Sequence, residues 1–549
     1  MTLRQFIPWL LVGIGLLVYA NSLSGEWMFD DYSCIPENAH IRSLWPLWRS
    51  MSAPRSDIAL AGRPLVSLSF ALNYAVGGLD VRGYHAVNVV LHLIAGLLLY
   101  GLLRRTLTSQ RRLDRFADSA EEFAFIIALV WLVHPLQTES VCYIAQRTEL
   151  CMAVAYLSTL YGLARAATSR AGRRWELFAV LSCVLGMASK EVMVSAPVVA
   201  IMYERWFWPR PWRQRWLCYT GLATSWIVLA TLLVSGSRSQ TTGFHLGISP
   251  IDYARTQAGV LCHYLRLTAW PSPLVLDYAD WALVPTWRQA TPAVAVVAML
   301  MGLTAWALWR RRMLGFAGVW FFAILAPTSS IVPITDCIFE HRMYLPSAAP
   351  AALVVFGVWE LLRRSGWNMR QQRIIGSVVA VVSVLALSAV TARRNRDYQT
   401  EIGMWSDVVT KRPNNSRAHY NLGIALAEQG RLDEAVAHFV RVIQLKPGST
   451  DARNNLAVIS IRGGNPQYAI AQCTKALQLQ PDRAELHNTL GHALAERGQF
   501  NEAVGEFREA LRLDPDFLQA RTNLEQAQLR RRAGQQAALL VEEGSRLAP

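Results

Sequence analysis

The chain has 549 residues, 17% of them charged and 52% hydrophobic, with a mean hydropathy of +0.21. Soluble proteins carry about a quarter charged residues, so a single soluble globular domain is excluded, as are a disordered and a fibrous chain. The net charge of +15 fits either a nucleic-acid partner or a sidedness signal, and the placement of the arginines decides between them. An excess of Trp (20) over Tyr (17) suits a chain with membrane interfaces to anchor. The eight cysteines include no CxxC pair, which excludes a zinc ribbon and a dense disulfide framework.

Up to about Thr391 the chain is a series of apolar segments: 6–20, 84–103, 123–141, 150–166, 177–189, 192–203, 217–234, 293–309, 314–331, 348–362 and 374–391. Several fall short of the roughly 20 residues of a full span, so tilt or a few polar residues must complete them. The segment 6–20 follows Arg4 in the manner of a signal peptide. No clear small-residue cleavage site follows it and further spans do, so it reads as a retained first helix. The predicted fold is all-α: a polytopic membrane bundle of about 11 spans, followed by a helical solenoid.

The arginines orient this bundle. Arg104, Arg105, Arg111, Arg112 and Arg115 follow the second span, and Arg165, Arg170, Arg173 and Arg174 the fourth. Arg205, Arg210, Arg213 and Arg215 follow the sixth, Arg310, Arg311 and Arg312 the eighth, and Arg363, Arg364, Arg370 and Arg373 the tenth. With eleven spans all five clusters share one side, which the positive-inside rule makes the cytoplasm. The positive charge is then a topology signal, and nucleic acid is not an expected partner. The N-terminus is expected in the cytoplasm and the C-terminal half outside it. Counting 253–270 as a further span would put two clusters on the wrong side, so it reads as re-entrant or interfacial. Arg393, Arg394 and Arg396 remain as one violation.

Beyond Arg393 the chain turns polar and repetitive. Pro413, Pro447, Pro481 and Pro515 are 34 residues apart, the tetratricopeptide period. Ala435, Ala469 and Ala503 let two helices of a unit approach closely, and Leu422, Leu456 and Leu490 fill the core. Gly423 and Gly491 recur on the first helix, and Phe439 and Phe507 on the second. The predicted domains are 1–392, with an outer loop at 21–83, and 393–549, with repeats at 414–447, 448–481 and 482–515. A half-unit around Trp405 and a capping helix from Leu518 extend the stack. Such a stack offers a concave surface for a protein partner, or merely a spacer.

Charges near a bilayer centre cost roughly 2.5 to 3.5 kcal/mol on insertion scales, so clustered charges at span ends call for an explanation. On the expected outer side lie Asp30 and Asp31 in WMFDDYS, Arg63 in GRPL, His134 and Glu139 in VHPLQTES, and Arg147 and Glu149 in AQRTEL. Lys190 and Glu191 follow in ASKEV, then Glu340, His341, Arg342 and Tyr344 in FEHRMYLPS. His85, Asn88 and His92 in YHAVNVVLH share one helical face. Adjacent carboxylates can supply a general base or hold a divalent metal, though no residue here demands a metal. Several cations at one depth can hold a phosphate, best by arginine. A lipid-linked phosphate is the natural anion at that depth. Each residue also has a structural reading: a solvated Asp-Asp turn, interhelical hydrogen bonds, a self-neutralising Lys190–Glu191 turn, or a Glu340–Arg342 ion pair. Residue chemistry alone leaves enzyme and scaffold open.

The run FDDYS and then GRPLVSLSFALNYAVGGLDVRGYHAVNVVLHL resembles the transmembrane-and-tetratricopeptide-repeat protein O-mannosyltransferases and their bacterial relatives. VHPLQTESV, QRTEL, the SKE turn, WPSPLVLDY and EHRMYLPS add to the resemblance, which covers nearly the whole chain in order. It implies a GT-C type inverting glycosyltransferase that takes its sugar from a polyprenyl phosphate donor and passes it to Ser or Thr of a protein acceptor. Asp30 or Asp31 is the implied base, with a slight preference for Asp31. Arg342, Lys190 and Arg147 are implied for the departing phosphate, with Arg63, Asn88, Glu191 and Tyr344 as further binding residues. His85, Glu139 and Glu340 are implied for positioning the sugar or supporting the basic residues. A bacterial inner membrane is the implied location. The competing readings are a membrane scaffold and a transferase acting on a glycan.

Overall fold

The computed structural model describes residues 3–54, 58–108, 119–234, 242–310 and 313–546. Arg111, Arg112, Arg115, Arg311 and Arg312 of the topology argument lie outside the described residues. Apart from one isolated bridge between Thr242 and Ile334, the described residues form helices and turns. They divide into two compact units, Met1–Met404 and Trp405–Pro549.

In the first unit each of the eleven apolar segments contributes a helix. Six helices are long and apolar enough to cross a membrane: Phe6–Ser24, Val81–Thr108, Ile144–Thr168, Trp212–Val234, Trp287–Trp309 and Met369–Asp397. The segment 123–141 is a broken pair, Ala120–Leu132 and Pro135–Cys142, bent by 54°. Pro135 cannot donate into a continuing helix, and the His134 ring accepts the Leu136 N–H to start the next one. Four segments give shorter helices: Gly172–Met187, Ala196–Phe207, Met313–Leu325 and Ala348–Arg364. Ile144–Thr168 is the central helix, with 72% of its apolar window buried, against 6% for Trp287–Trp309.

Two expectations are refined by this unit. The described residues of the segment 21–83 are largely helical, carrying Asp30–Cys34, Ala39–Arg42, Leu47–Ser50 and Pro64–Gly77. The 253–270 segment is the 20-residue helix Pro250–Ala269, and it fails the apolarity required of a span. Its polar side chains instead hold the loop that carries Glu340. Tyr253 donates to Thr328 O at 2.8 Å, Gln257 to Cys337 O at 2.9 Å and Tyr264 to Phe339 O at 2.8 Å.

In the second unit, three helical hairpins follow one another: Ser416–Glu428 with Leu432–Leu445, Thr450–Arg462 with Pro466–Leu479, and Ala484–Glu496 with Phe500–Leu513. The long helix Leu518–Arg546 comes next. Ala435, Ala469 and Ala503 are fully buried, as the period required. Each hairpin turns through a glycine in the left-handed region, Gly430, Gly464 or Gly498, where a side chain would be strained. A second period was not anticipated. His419, Arg453, His487 and Arg521 each donate to the carbonyl of the proline six residues upstream.

Candidate functional site

The turn after the first span is built on one unusual backbone angle. Phe29, at φ 50, is the only non-glycine among the described residues with positive φ. It reverses the chain so that Asp30 and Asp31 open a short helix with their carboxyls facing different surroundings. Asp31 is fully buried, and both its oxygens are taken. Oδ1 accepts the Ala145 N–H at 2.6 Å and Oδ2 the Met28 N–H at 3.2 Å. Burial pushes its carboxyl well above the usual carboxylate range, against the pull of those two N–H groups. Asp31 therefore anchors the turn to the segment 143–145. Asp30 is half-buried, and its backbone N–H donates to the Tyr143 hydroxyl at 3.1 Å, while the same phenol pairs with its side chain. Of the two aspartates, Asp31 is the buried one, with a backbone N–H on each oxygen, and Asp30 is the more accessible.

Four ion or hydrogen-bonded pairs join the remaining motifs. Glu139 takes both donors of His341, the backbone N–H at 2.8 Å and Nδ1 at 2.6 Å. Lys190 Nζ lies 2.7 Å from Glu149, and both are buried. Arg63 reaches Glu191 at 3.5 Å, and its Nε is buried without a hydrogen-bond partner. Glu340 accepts from the Val275 N–H at 2.7 Å and the Tyr278 hydroxyl at 2.6 Å. Burial and the positive charges of Lys190, Arg342 and Arg63 hold the His341 imidazole well below its usual range, and its Nδ1 stands against the Glu139 carboxyl. Arg63 in turn acts on Cys34 together with Asp30 and Asp31, which ties the first turn to the same charged cluster. Five stretches far apart in sequence therefore meet in one place.

Other candidates are occupied by the fold itself. Arg147 is fully buried, and its guanidinium donates to Asn88 at 2.8 Å, Asn73 at 2.8 Å, Tyr84 O at 2.9 Å and Ser69 O at 3.3 Å, with the Phe70 ring 4.3 Å away. It clamps helices together and has no open face for a phosphate. Asn88 completes that clamp and also donates to Val141 O at 3.3 Å. Tyr344 is fully buried and bonds His92 Nδ1 at 2.7 Å, while His92 Nε2 donates to Leu132 O at 2.9 Å. Arg342 spends its two terminal nitrogens on Cys337 O at 3.0 Å and Asp336 O at 2.7 Å, so it contributes charge more than open donors. His85 is buried against Gly25, so close that a Cβ there would lie 2.8 Å from its Nε2.

Sequence reasoning omitted Tyr143 and Asn73 from the site and its supports. Tyr143 sits in the apolar run VCYIA, where a tyrosine reads as core. Of the three arginines that break the topology rule, Arg394 is buried, pairs with Asp397 at 2.8 Å and lies over the Tyr398 ring, while Arg393 and Arg396 are exposed. Among the described residues no group of three or more His, Cys, Asp or Glu can hold a metal ion.

The pattern of the tetratricopeptide repeat family matches residues 416–449 and 484–517. Among curated proteins, the chain is 25% identical over 518 residues to protein O-mannosyl-transferase Tmtc3 of Drosophila melanogaster, covering 80% of this chain and 55% of that protein. It is 24% identical to a protein O-mannosyl-transferase of Caenorhabditis elegans (79% of this chain, 62% of that protein) and 26% identical to TMTC4 of Mus musculus (80% and 66%). The chain thus spans a little over half to two thirds of the length of these relatives. Over about 80% of its own residues it is homologous to the protein O-mannosyl-transferases that its motifs resemble.

Proposed function

We propose that the chain is a membrane glycosyltransferase that moves a mannose-like sugar from a polyprenyl phosphate to Ser or Thr hydroxyls of a protein acceptor, on the extracytoplasmic face and with inversion. The observation that carries this reading is the meeting of Asp30, Arg63–Glu191, Lys190–Glu149 and Glu139–His341 in one charged cluster. The names of the relatives support the sugar and the acceptor class. The arginine placement supports the face.

In this reading Asp30 takes the proton of the acceptor hydroxyl. The oxygen forms its bond to the anomeric carbon as the bond from that carbon to the phosphate oxygen breaks, and the lipid phosphate leaves with the electron pair. Arg63, whose Nε has no partner, meets the departing phosphate within the positive field of Lys190 and Arg342. Asp31 holds the turn that aims Asp30. Glu139 and His341 line the sugar side, with Glu340 and His85 behind them. The repeats present the acceptor.

The test is transfer in membranes from a mannosyl polyprenyl phosphate to a Ser-containing acceptor protein. Asp30→Asn should lower the rate by about 10² to 10⁴ with an unchanged thermal midpoint. Asp31→Asn should lower the midpoint first. Full transfer by Asp30→Asn would sink the base assignment.

A further inference from the structure

Three consecutive residues after the helix Thr138–Cys142 hold the turn that carries both aspartates. The Ala145 N–H goes to Asp31 at 2.6 Å. Ile144 O accepts from Asn88 Nδ2 at 3.5 Å, which ties this link to the helix Val81–Thr108. The Tyr143 hydroxyl meets Asp30 at two points: its oxygen accepts the Asp30 backbone N–H at 3.1 Å, and the phenol also pairs with the Asp30 side chain. A phenol has one proton to give and a carboxylate has none, so that proton lies toward the Asp30 carboxyl. The main chain of Tyr143 is fixed in turn. Its N–H donates at 3.2 Å to the carbonyl of Glu139, the residue whose carboxyl takes His341.

We propose that Tyr143 is the positioning residue of the base: by bonding both the backbone N–H and the carboxyl of Asp30, it fixes that side chain so that the carboxylate meets the acceptor hydroxyl in one orientation. The inference rests on the reading of Asp30 as the base. An aspartate held only through its backbone turns among its staggered rotamers, whereas a second fixed point on the carboxyl selects one of them. The contact comes from the interior, because Tyr143 is buried and Asp30 only half-buried. Burial, with Asp30 and Asp31 close by, holds the phenol well above its usual range. Tyr143 therefore keeps its proton and serves as a donor, and it does not compete with Asp30 as a base. A hydrogen bond to a carboxylate is stronger than one to the neutral acid, so the same contact also keeps Asp30 ionised and ready.

The test is transfer in membranes from a mannosyl polyprenyl phosphate to a Ser-containing acceptor protein, followed against pH for the full chain as wild type, Tyr143→Phe, Asp30→Asn and the double variant. Phenylalanine keeps the ring and removes only the hydroxyl. Tyr143→Phe should lower kcat about 10- to 100-fold, with KM for donor and acceptor changed by less than about twofold. Losing a hydrogen bond to the charged carboxylate makes Asp30 easier to protonate, so the acid limb of the kcat profile should move up by about one pH unit. In the Asp30→Asn background the same substitution should change kcat by less than about twofold, because the group it serves is gone. Should the thermal midpoint show that Tyr143→Phe is poorly folded, 3-fluorotyrosine in place of Tyr143 keeps the hydroxyl and donates more strongly. It should move the acid limb the other way, to lower pH. An unmoved acid limb, or losses that multiply in full in the double variant, would make Tyr143 a structural residue and overturn the proposal. Impaired Asp30→Asn beside unimpaired Tyr143→Phe would overturn it while the base reading stands. Full transfer by Asp30→Asn would remove the base reading and this inference with it.

Discussion

The two units differ in how far their polar contacts reach along the chain. In the membrane unit Glu139 meets His341 across 202 positions, Tyr344 meets His92 across 252, and Asn395 meets Val18 across 377. In the repeat unit the recurring pairs are 19 or 35 residues apart: His419–His438, Arg453–Gln472 and His487–Glu506 within hairpins, Tyr420–Asn455 and Asn488–Asn523 between them. A solenoid keeps its interactions between neighbours, so damage to one hairpin stays there. A bundle closed by buried polar contacts has no water to replace a lost partner, so a single deletion is felt throughout.

The largest expected effect is therefore at Arg147. Replacing it by Met keeps much of the volume but strips donors from Asn88, Asn73, Tyr84 O and Ser69 O. Each buried acceptor left unpaired costs about 1 to 3 kcal/mol, so Arg147→Met should destabilise the unit by at least about 3 kcal/mol. Thermal unfolding of the full chain in detergent reads this directly. Arg431→Met, which removes only an exposed pair with Glu434, should leave the midpoint where it was. Equal shifts for both variants would erase the contrast between the units.

The next effect in size is a packing defect confined to one hairpin. A Cβ on Gly491 would stand 2.8 Å from the Phe507 ring, closer than side chains pack. Gly491→Ala should cost about 1 to 3 kcal/mol by overpacking, and adding Phe507→Leu should recover part of it. Amide hydrogen exchange should accelerate in Ala484–Glu496 and Phe500–Leu513 and stay unchanged in the membrane helices. Acceleration across the first unit would show that the units are not independent in stability.

The same contrast explains what could be read from the sequence. The repeat unit was legible because its code is local. Pro413, Pro447, Pro481 and Pro515 mark the period, and Ala435, Ala469 and Ala503 fall where the close contacts are. The membrane unit was legible only as segments, because apolar runs announce helices but not their neighbours. Arg147 and Arg63 look alike in sequence, each an arginine in a short polar stretch between apolar runs. Only the fold shows that the first is spent on neutral acceptors while the second keeps a buried Nε unpaired. Likewise nothing in FDDYS separates Asp30 from Asp31. The positive φ at Phe29 and the N–H groups of Met28 and Ala145 make that distinction. Tyr143 was hidden because a tyrosine amid apolar residues gives no sign that its hydroxyl faces a carboxylate.

The smallest effect separates one hairpin from the next. His419 Nε2 donates to Pro413 O, so its Nδ1 accepts from His438 Nδ1 at 2.9 Å. Burial lowers the proton affinity of both imidazoles, and the charge of His419 lowers that of His438 further. An unfolded histidine titrates near pH 6.5, so between the native values and about 6.5 the unfolded chain binds more protons than the native hairpin. Stability of this hairpin then rises with pH through that window and falls on acidification from pH 7 to 5. In the hairpin Thr450–Arg462 with Pro466–Leu479, Arg453 and Gln472 hold the same two places at 3.0 Å, so no imidazole stands there. Hydrogen exchange corrected for its intrinsic pH dependence should therefore speed up at pH 5 in Ser416–Glu428 and Leu432–Leu445 but not in the next pair of helices. His438→Gln, which keeps a donor for His419 Nδ1 and removes one titrating ring, should roughly halve the pH response of the first hairpin. Equal acceleration of both hairpins would mean that acid loosens the stack as a whole, and the one repeat with paired histidines would not be special.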